Sequence, residues 1–152
     1  MTHPADLLDV VDGRRPVHEI RRDERHVAFL AERPVRPGHV IVVTCARVDA
    51  VFDLSVEAHA ALWTFVHGVA AAMRERLPCR RVCVSVIGWA VRHAHVHLVP
   101  TDAPGQVPGL DGPPLAAAEM AALAARLRAP DRDQSRGGAA NSNTSSPSQV
   151  RR

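Results

Sequence analysis

The chain has 152 residues, 46% of them hydrophobic and 23% charged, which is the size and balance of one domain with a core of its own. It contains neither Lys nor Tyr, so Schiff-base lysines, the lysine of a phosphate-binding loop and tyrosine nucleophiles are excluded. Of the formal charge of +3, residues 131–152 carry four Arg against two Asp, and the remaining Arg pairs at 14–15, 21–22 and 80–81 are scattered among acids, so no nucleic-acid-binding face is expected.

In chain order, residues 4–11 place Leu7, Leu8, Val10 and Val11 over about two helical turns, which Gly13 and Pro16 stop. Strands are predicted over 17–20, 26–30 and 39–44, separated by a charged turn at 21–25 and by a loop holding Pro34, Pro37 and Gly38. Ser55 is a plausible N-cap for a long helix. Leu62, Phe65, Val66, Val69, Ala70, Met73 and Leu77 then recur at helical spacing as far as Pro78, a core stripe that leaves Trp63 and His67 to packing or the rim. Two more strands are predicted over 82–87 and 91–100, and an Ala-rich helix over 115–128. Mostly sequential strands with one helical crossover predict an α+β fold, an antiparallel sheet of about five strands with one long crossover helix and short terminal helices.

Residues 1–130 are expected to form this single domain, and the Ser/Asn/Gly/Arg-rich residues 131–152 a disordered tail that cannot offset its ordering entropy by burial. Cys45, Cys79 and Cys83 are odd in number and lack a CxxC pair, which fits a reducing compartment rather than a disulfide framework. Asp6, Asp9 and Asp12 stand where a secretory signal needs a basic start, and no apolar run reaches membrane-spanning length. A cytoplasmic location without membrane partners is the expectation.

The segment richest in chemistry is His93-Ala94-His95-Val96-His97-Leu98-Val99-Pro100. On a strand, alternate side chains share a face, so His93, His95 and His97 line one side while Ala94, Val96 and Leu98 pack the other. Two readings of the imidazoles stand side by side. Alternating His can present ligands to Zn²⁺ with an open water position. Alternatively, a neutral imidazole, titrating near pH 6.5, can attack a phosphoryl group while its neighbours hold the phosphoryl oxygens.

The same run matches the His-φ-His-φ-His-φ-φ signature, φ being apolar, and so resembles the histidine triad (HIT) superfamily of nucleotide hydrolases and transferases. Val27-Ala28-Phe29-Leu30 and Arg33-Pro34-Val35-Arg36-Pro37-Gly38-His39-Val40-Ile41-Val42-Val43 look like that family's "AFL…P…PGH…VV" segment, and the likeness extends over about residues 4–128. What the resemblance implies is a homodimer with a joined antiparallel sheet, acting on a purine nucleoside monophosphate-type substrate without a metal or other cofactor. His95 would be the nucleophile and form a nucleotidyl-histidine that water hydrolyses. His93 would orient the reacting ring by hydrogen bonding, and His97 and His39 would contact phosphate oxygens or assist the leaving group, an amine, phosphate or similar group. By position, Leu7, Val10 and Phe29 would form the nucleoside pocket. Ala31 stands where relatives usually carry an acid for the ribose hydroxyls, with neighbouring Glu32 as the nearest substitute, and Ser85 stands where many carry Asn near the phosphate. A nucleotide-binding regulator with little turnover and a zinc-dependent hydrolase are the alternatives.

Overall fold

A computed structural model describes residues 7–107, 109 and 111–128. The expected start of the first helix at Pro4 and the expected tail at 131–152 lie outside the described residues. Helix α1, Leu7–Val11, ends where Gly13 adopts φ 71° and donates its N–H to Val10 O at 3.1 Å. Three strands follow: β1, Glu19–Arg22; β2, His26–Leu30; and β3, Val40–Thr44. Strand β1 sits two residues later than the spacing predicts. The reason is local: Asp23 Oδ1 accepts the N–H groups of Arg25 and His26 at 2.8 and 2.7 Å, confining the turn and releasing Arg21 and Arg22 into the ladder.

Helix α2, Val56–Arg76, begins at the predicted cap, where Ser55 Oγ accepts the N–H of Ala58 at 3.2 Å. Strands β4, Arg81–Ser85, and β5, His95–Thr101, and helix α3, Ala117–Arg128, complete the α+β fold. All strand pairs are antiparallel, in the order β1-β2-β3-β5-β4. Strand β4 is therefore an edge, and β5 lies between β3 and β4. Among the described residues no helix is long and apolar enough to cross a membrane.

The pleat divides the sheet into two chemically different faces. Ala28, Leu30, Val40, Val42, Val96 and Leu98 meet Leu62, Phe65, Val66, Val69 and Met73 of α2, the stripe that the periodicity picks out, and Met120, Ala124 and Leu127 of α3 close the same core. On the other face Val27, Phe29 and Val43 pack with Leu7 and Val10. His95 pairs across with Val43 and His97 with Ile41, so both imidazoles stand on this second face, toward α1.

Two strand boundaries differ from expectation. The predicted strand over 91–100 begins only at His95, because the N–H of Ala94 is drawn to Val48 O at 2.7 Å in the loop after β3. The strand predicted over 82–87 stops at Ser85, and Val86 and Ile87 leave the sheet with half-exposed side chains.

Candidate active site

The site is assembled where β5 crosses β3. Its first component is a turn: Arg36, Pro37, Gly38 and His39 fold back so that His39 N–H reaches Arg36 O at 3.0 Å, with Gly38 at φ 89°. A positive φ after Pro is the type II turn, and a Cβ on Gly38 would also stand 2.7 Å from Leu77 Cδ1. This turn delivers His39 to the start of β3 with no exposed surface.

From there the hydrogen bonds assign each ring nitrogen. The amide N–H of Val35 donates to His39 Nδ1 at 3.2 Å, so that nitrogen is an acceptor and the neutral ring carries its hydrogen on Nε2. Nε2 lies 3.0 Å from His97 Nδ1, which therefore accepts, leaving His97 with its hydrogen on Nε2. A backbone amide thus sets the tautomer of a second imidazole two links away. Burial holds His39 down to about 4; burial, with the charges of His95 and His39, holds His97 down to about 3. Both rings are neutral at pH 7.

His95 is wired in the opposite sense. Its Nδ1 lies 2.6 Å from the backbone oxygen of His93, and a carbonyl only accepts, so Nδ1 carries the hydrogen and Nε2 presents a lone pair. Burial lowers its pKa from the ordinary value, against a smaller raising effect of the His93 carbonyl. The His95 and His97 rings meet edge to face with centroids 4.9 Å apart. A nitrogen with a free lone pair and an N–H donor therefore belong to neighbouring rings on one face.

The remaining expected residues fall into place differently. His93 precedes the strand, and its ring Nε2 donates to Thr44 O at 2.7 Å instead of to His95. The hydrogen bond expected between His93 and the His95 ring is present, and it comes from the His93 backbone carbonyl, 2.6 Å from His95 Nδ1, while the His93 imidazole is held by Thr44. His39 likewise has both ring nitrogens engaged by protein, Nδ1 by the Val35 amide and Nε2 by His97. Ser85 pairs directly across from His97 on β4, beside the N–H donor.

Glu32 is paired with Arg15, whose Nη2 lies 2.5 Å from Oε2, and its side chain stays half-exposed. Leu7, Val10 and Phe29 are buried against one another as a small core. Sequence reasoning missed Thr44, Val35 and the cleft of about 250 Å³ that reaches His93 and His95 between Phe52 and Ile87. None of these carries a motif; the cleft is made by two loops brought together only by the β3–β5 ladder. For the metal reading, the rings of His93 and His97 already spend nitrogens on Thr44 and His39. Among the described residues no group of three or more His, Cys, Asp or Glu side chains is arranged to hold a metal ion.

Comparison with known proteins places the fold. Residues 13–103 match the model of the HIT domain. An uncharacterized HIT-like protein of Saccharolobus solfataricus is 30% identical over 100 residues, covering 62% of this chain and 72% of its own. Among solved structures, a hypothetical histidine triad nucleotide-binding protein from Sulfolobus tokodaii superposes with a TM-score of 0.72 at 18% identity, covering 80% of this chain and 88% of that one. A Zn-bound histidine triad family protein from Mycobacterium smegmatis reaches a TM-score of 0.64 at 25% identity, covering 80% and 91%.

Proposed function

This chain belongs to the HIT domain family, and from that premise we propose that it is a nucleotide hydrolase that cleaves a nucleoside 5′-monophosphate from an amine, phosphate or similar leaving group through a nucleotidyl-histidine. Family membership by itself supports a nucleotide-binding or hydrolase type of function in general. The observation that carries the finer reading is the 2.6 Å contact of His95 Nδ1 with the His93 carbonyl, which keeps a lone pair on Nε2.

In this reading Nε2 forms a bond to the α-phosphorus while the bond to the leaving group breaks. The leaving atom departs with the electron pair and takes up a proton from solvent. Water then attacks phosphorus, the P–N electrons return to Nε2, and the proton that water releases balances the one taken up before. While His95 is bonded to phosphorus its ring is cationic, and the Nδ1–H bond to the His93 carbonyl becomes charge-assisted and stronger. His97 Nε2–H and the Ser85 hydroxyl supply donors for the phosphoryl oxygens, worth about 10²–10³-fold each where such a donor is removed. A purine nucleoside monophosphate is the proposed donor.

We also propose a homodimer in which two copies of the edge strand β4 join their sheets; the half-exposed Val84 on that edge supports it. The deciding experiment for the hydrolase is rapid quenching with a nucleoside phosphoramidate, followed by mass spectrometry of the protein. A nucleotide-sized adduct on wild type that is absent from His95→Ala is expected. Turnover by His95→Ala equal to wild type would overturn the assignment, and nucleotide affinity without turnover would favour a regulator.

A further inference from the structure

We propose that the cleft beside His95 is the leaving-group subsite and that it selects an apolar amine, aromatic or branched aliphatic, over a phosphate; this rests on the hydrolase reading above. The cleft is lined by His93 and His95 on one side, by Phe52 and by Val86 and Ile87 beyond the end of β4, with Asp49 at its rim. Its volume of about 250 Å³ lies below the range of roughly 300–1,000 Å³ in which whole drug-sized ligands are held, so it admits one part of a nucleotide conjugate. Because His95 itself lines the cleft, that part is attached to the reacting phosphorus, as both the nucleoside and the leaving group are; none of Leu7, Val10 and Phe29, the residues expected around the nucleoside, lines this cleft, which assigns it to the leaving group.

The chemistry of the walls then decides what kind of leaving group fits. Phe52 is 84% exposed and Ile87 52% exposed, large apolar surfaces that the fold leaves uncovered next to the nucleophile. The carboxylate of Asp49 is paired with Arg92, whose Nε donates to Asp49 Oδ2 at 2.8 Å and whose Nη2 contacts the same oxygen. His93, having placed its hydrogen on Nε2 for Thr44, keeps an acceptor at Nδ1 when neutral, which matches an N–H and not a phosphate oxygen. A phosphate in this cleft would lose water and find no cationic or N–H side-chain partner in Phe52, Val86 and Ile87.

The test compares kcat/KM for three adenosine 5′-phosphoryl conjugates that differ only in the leaving group: ammonia, benzylamine and phosphate. Wild type is expected to favour benzylamine over ammonia by about tenfold, the order of one well-filled apolar contact, with phosphate lowest. Phe52→Ser and Ile87→Ser are each expected to bring the benzylamine-to-ammonia ratio toward one. A ratio unchanged in both variants, while turnover persists, overturns the subsite and leaves the hydrolase standing. Equal losses on all three conjugates would mean that Phe52 meets the nucleoside, and conversion of a dimer to monomer by Phe52→Ser would mean that a second copy covers it; either result overturns the proposal. Failure of wild type to turn over any conjugate removes the hydrolase reading and this one with it.

Discussion

His39→Ala removes the middle link of the relay from Val35 to His97, and its consequences follow from the geometry. The side chain is fully buried, so truncation leaves a cavity and strips a donor from His97 Nδ1 and an acceptor from the Val35 amide. A buried polar group left without a partner costs about 1–3 kcal/mol, and the two together with the lost packing give a destabilisation of about 3–5 kcal/mol. Against a typical total of about 5–15 kcal/mol this is large and measurable by urea unfolding at pH 8, where every imidazole concerned is neutral in both states. The functional effect is separate. With Nδ1 no longer held as an acceptor, His97 exchanges between its two neutral tautomers and presents an Nε2–H for only part of the time. Turnover is expected to fall, but by less than the about 10²–10³-fold expected for His97→Ala, which deletes the donor altogether. Nitrogen-15 spectra of the imidazoles give the direct check: wild-type His97 shows an unprotonated Nδ1, and the variant shows averaged signals. A stability change below about 1 kcal/mol, or a wild-type His97 carrying its hydrogen on Nδ1, refutes the relay.

Titration of the same rings predicts acid sensitivity. An unfolded imidazole protonates near 6.5, whereas His39 resists until about 4 and His97 until about 3. Below 6.5 the unfolded chain binds more protons, so stability falls as pH falls, by on the order of 3 kcal/mol at pH 4 from His39 alone, and is flat with respect to these groups above pH 7.5. Urea midpoints across that range test the sign. For catalysis, the lowered His95 pKa places the acidic limb of kcat/KM below 6.5, and a limb above 7 would contradict its burial. In the core, Leu62 is fully buried under the sheet, and Leu62→Ala should lower stability by about 2–5 kcal/mol in the same urea assay without moving the benzylamine preference. Ser55→Ala, which removes the Oγ that caps α2, should cost about 1 kcal/mol.

Much of the architecture is written in local patterns. The α2 stripe from Leu62 to Met73 packs as its 3.6-residue spacing dictates, and Ser55 caps where the preference of hydroxyls for helix starts places it. The alternation of His95 and His97 with Val96 and Leu98 likewise separates a functional face from a packed one, because side chains on a pleated strand have nowhere else to point. Errors collect at strand ends. Asp23 pulls the β1–β2 turn tight, and Val48 captures Ala94 so that His93 falls outside β5; both are hydrogen bonds that hydrophobic period alone does not register.

Sequence by itself therefore determined the order of elements and the two-sided sheet, and marked the three imidazoles as the candidate site, since each depends on periodicity, caps and a contiguous motif. Only the tertiary structure decided which nitrogen of each ring holds its hydrogen, that the His93 carbonyl meets the His95 ring and His39 meets His97, and which apolar residues flank His95. Those outcomes depend on groups as far apart in the chain as Thr44 and His93 or His39 and His97, whose hydrogen bonds exist only once the ladder has brought their strands within reach.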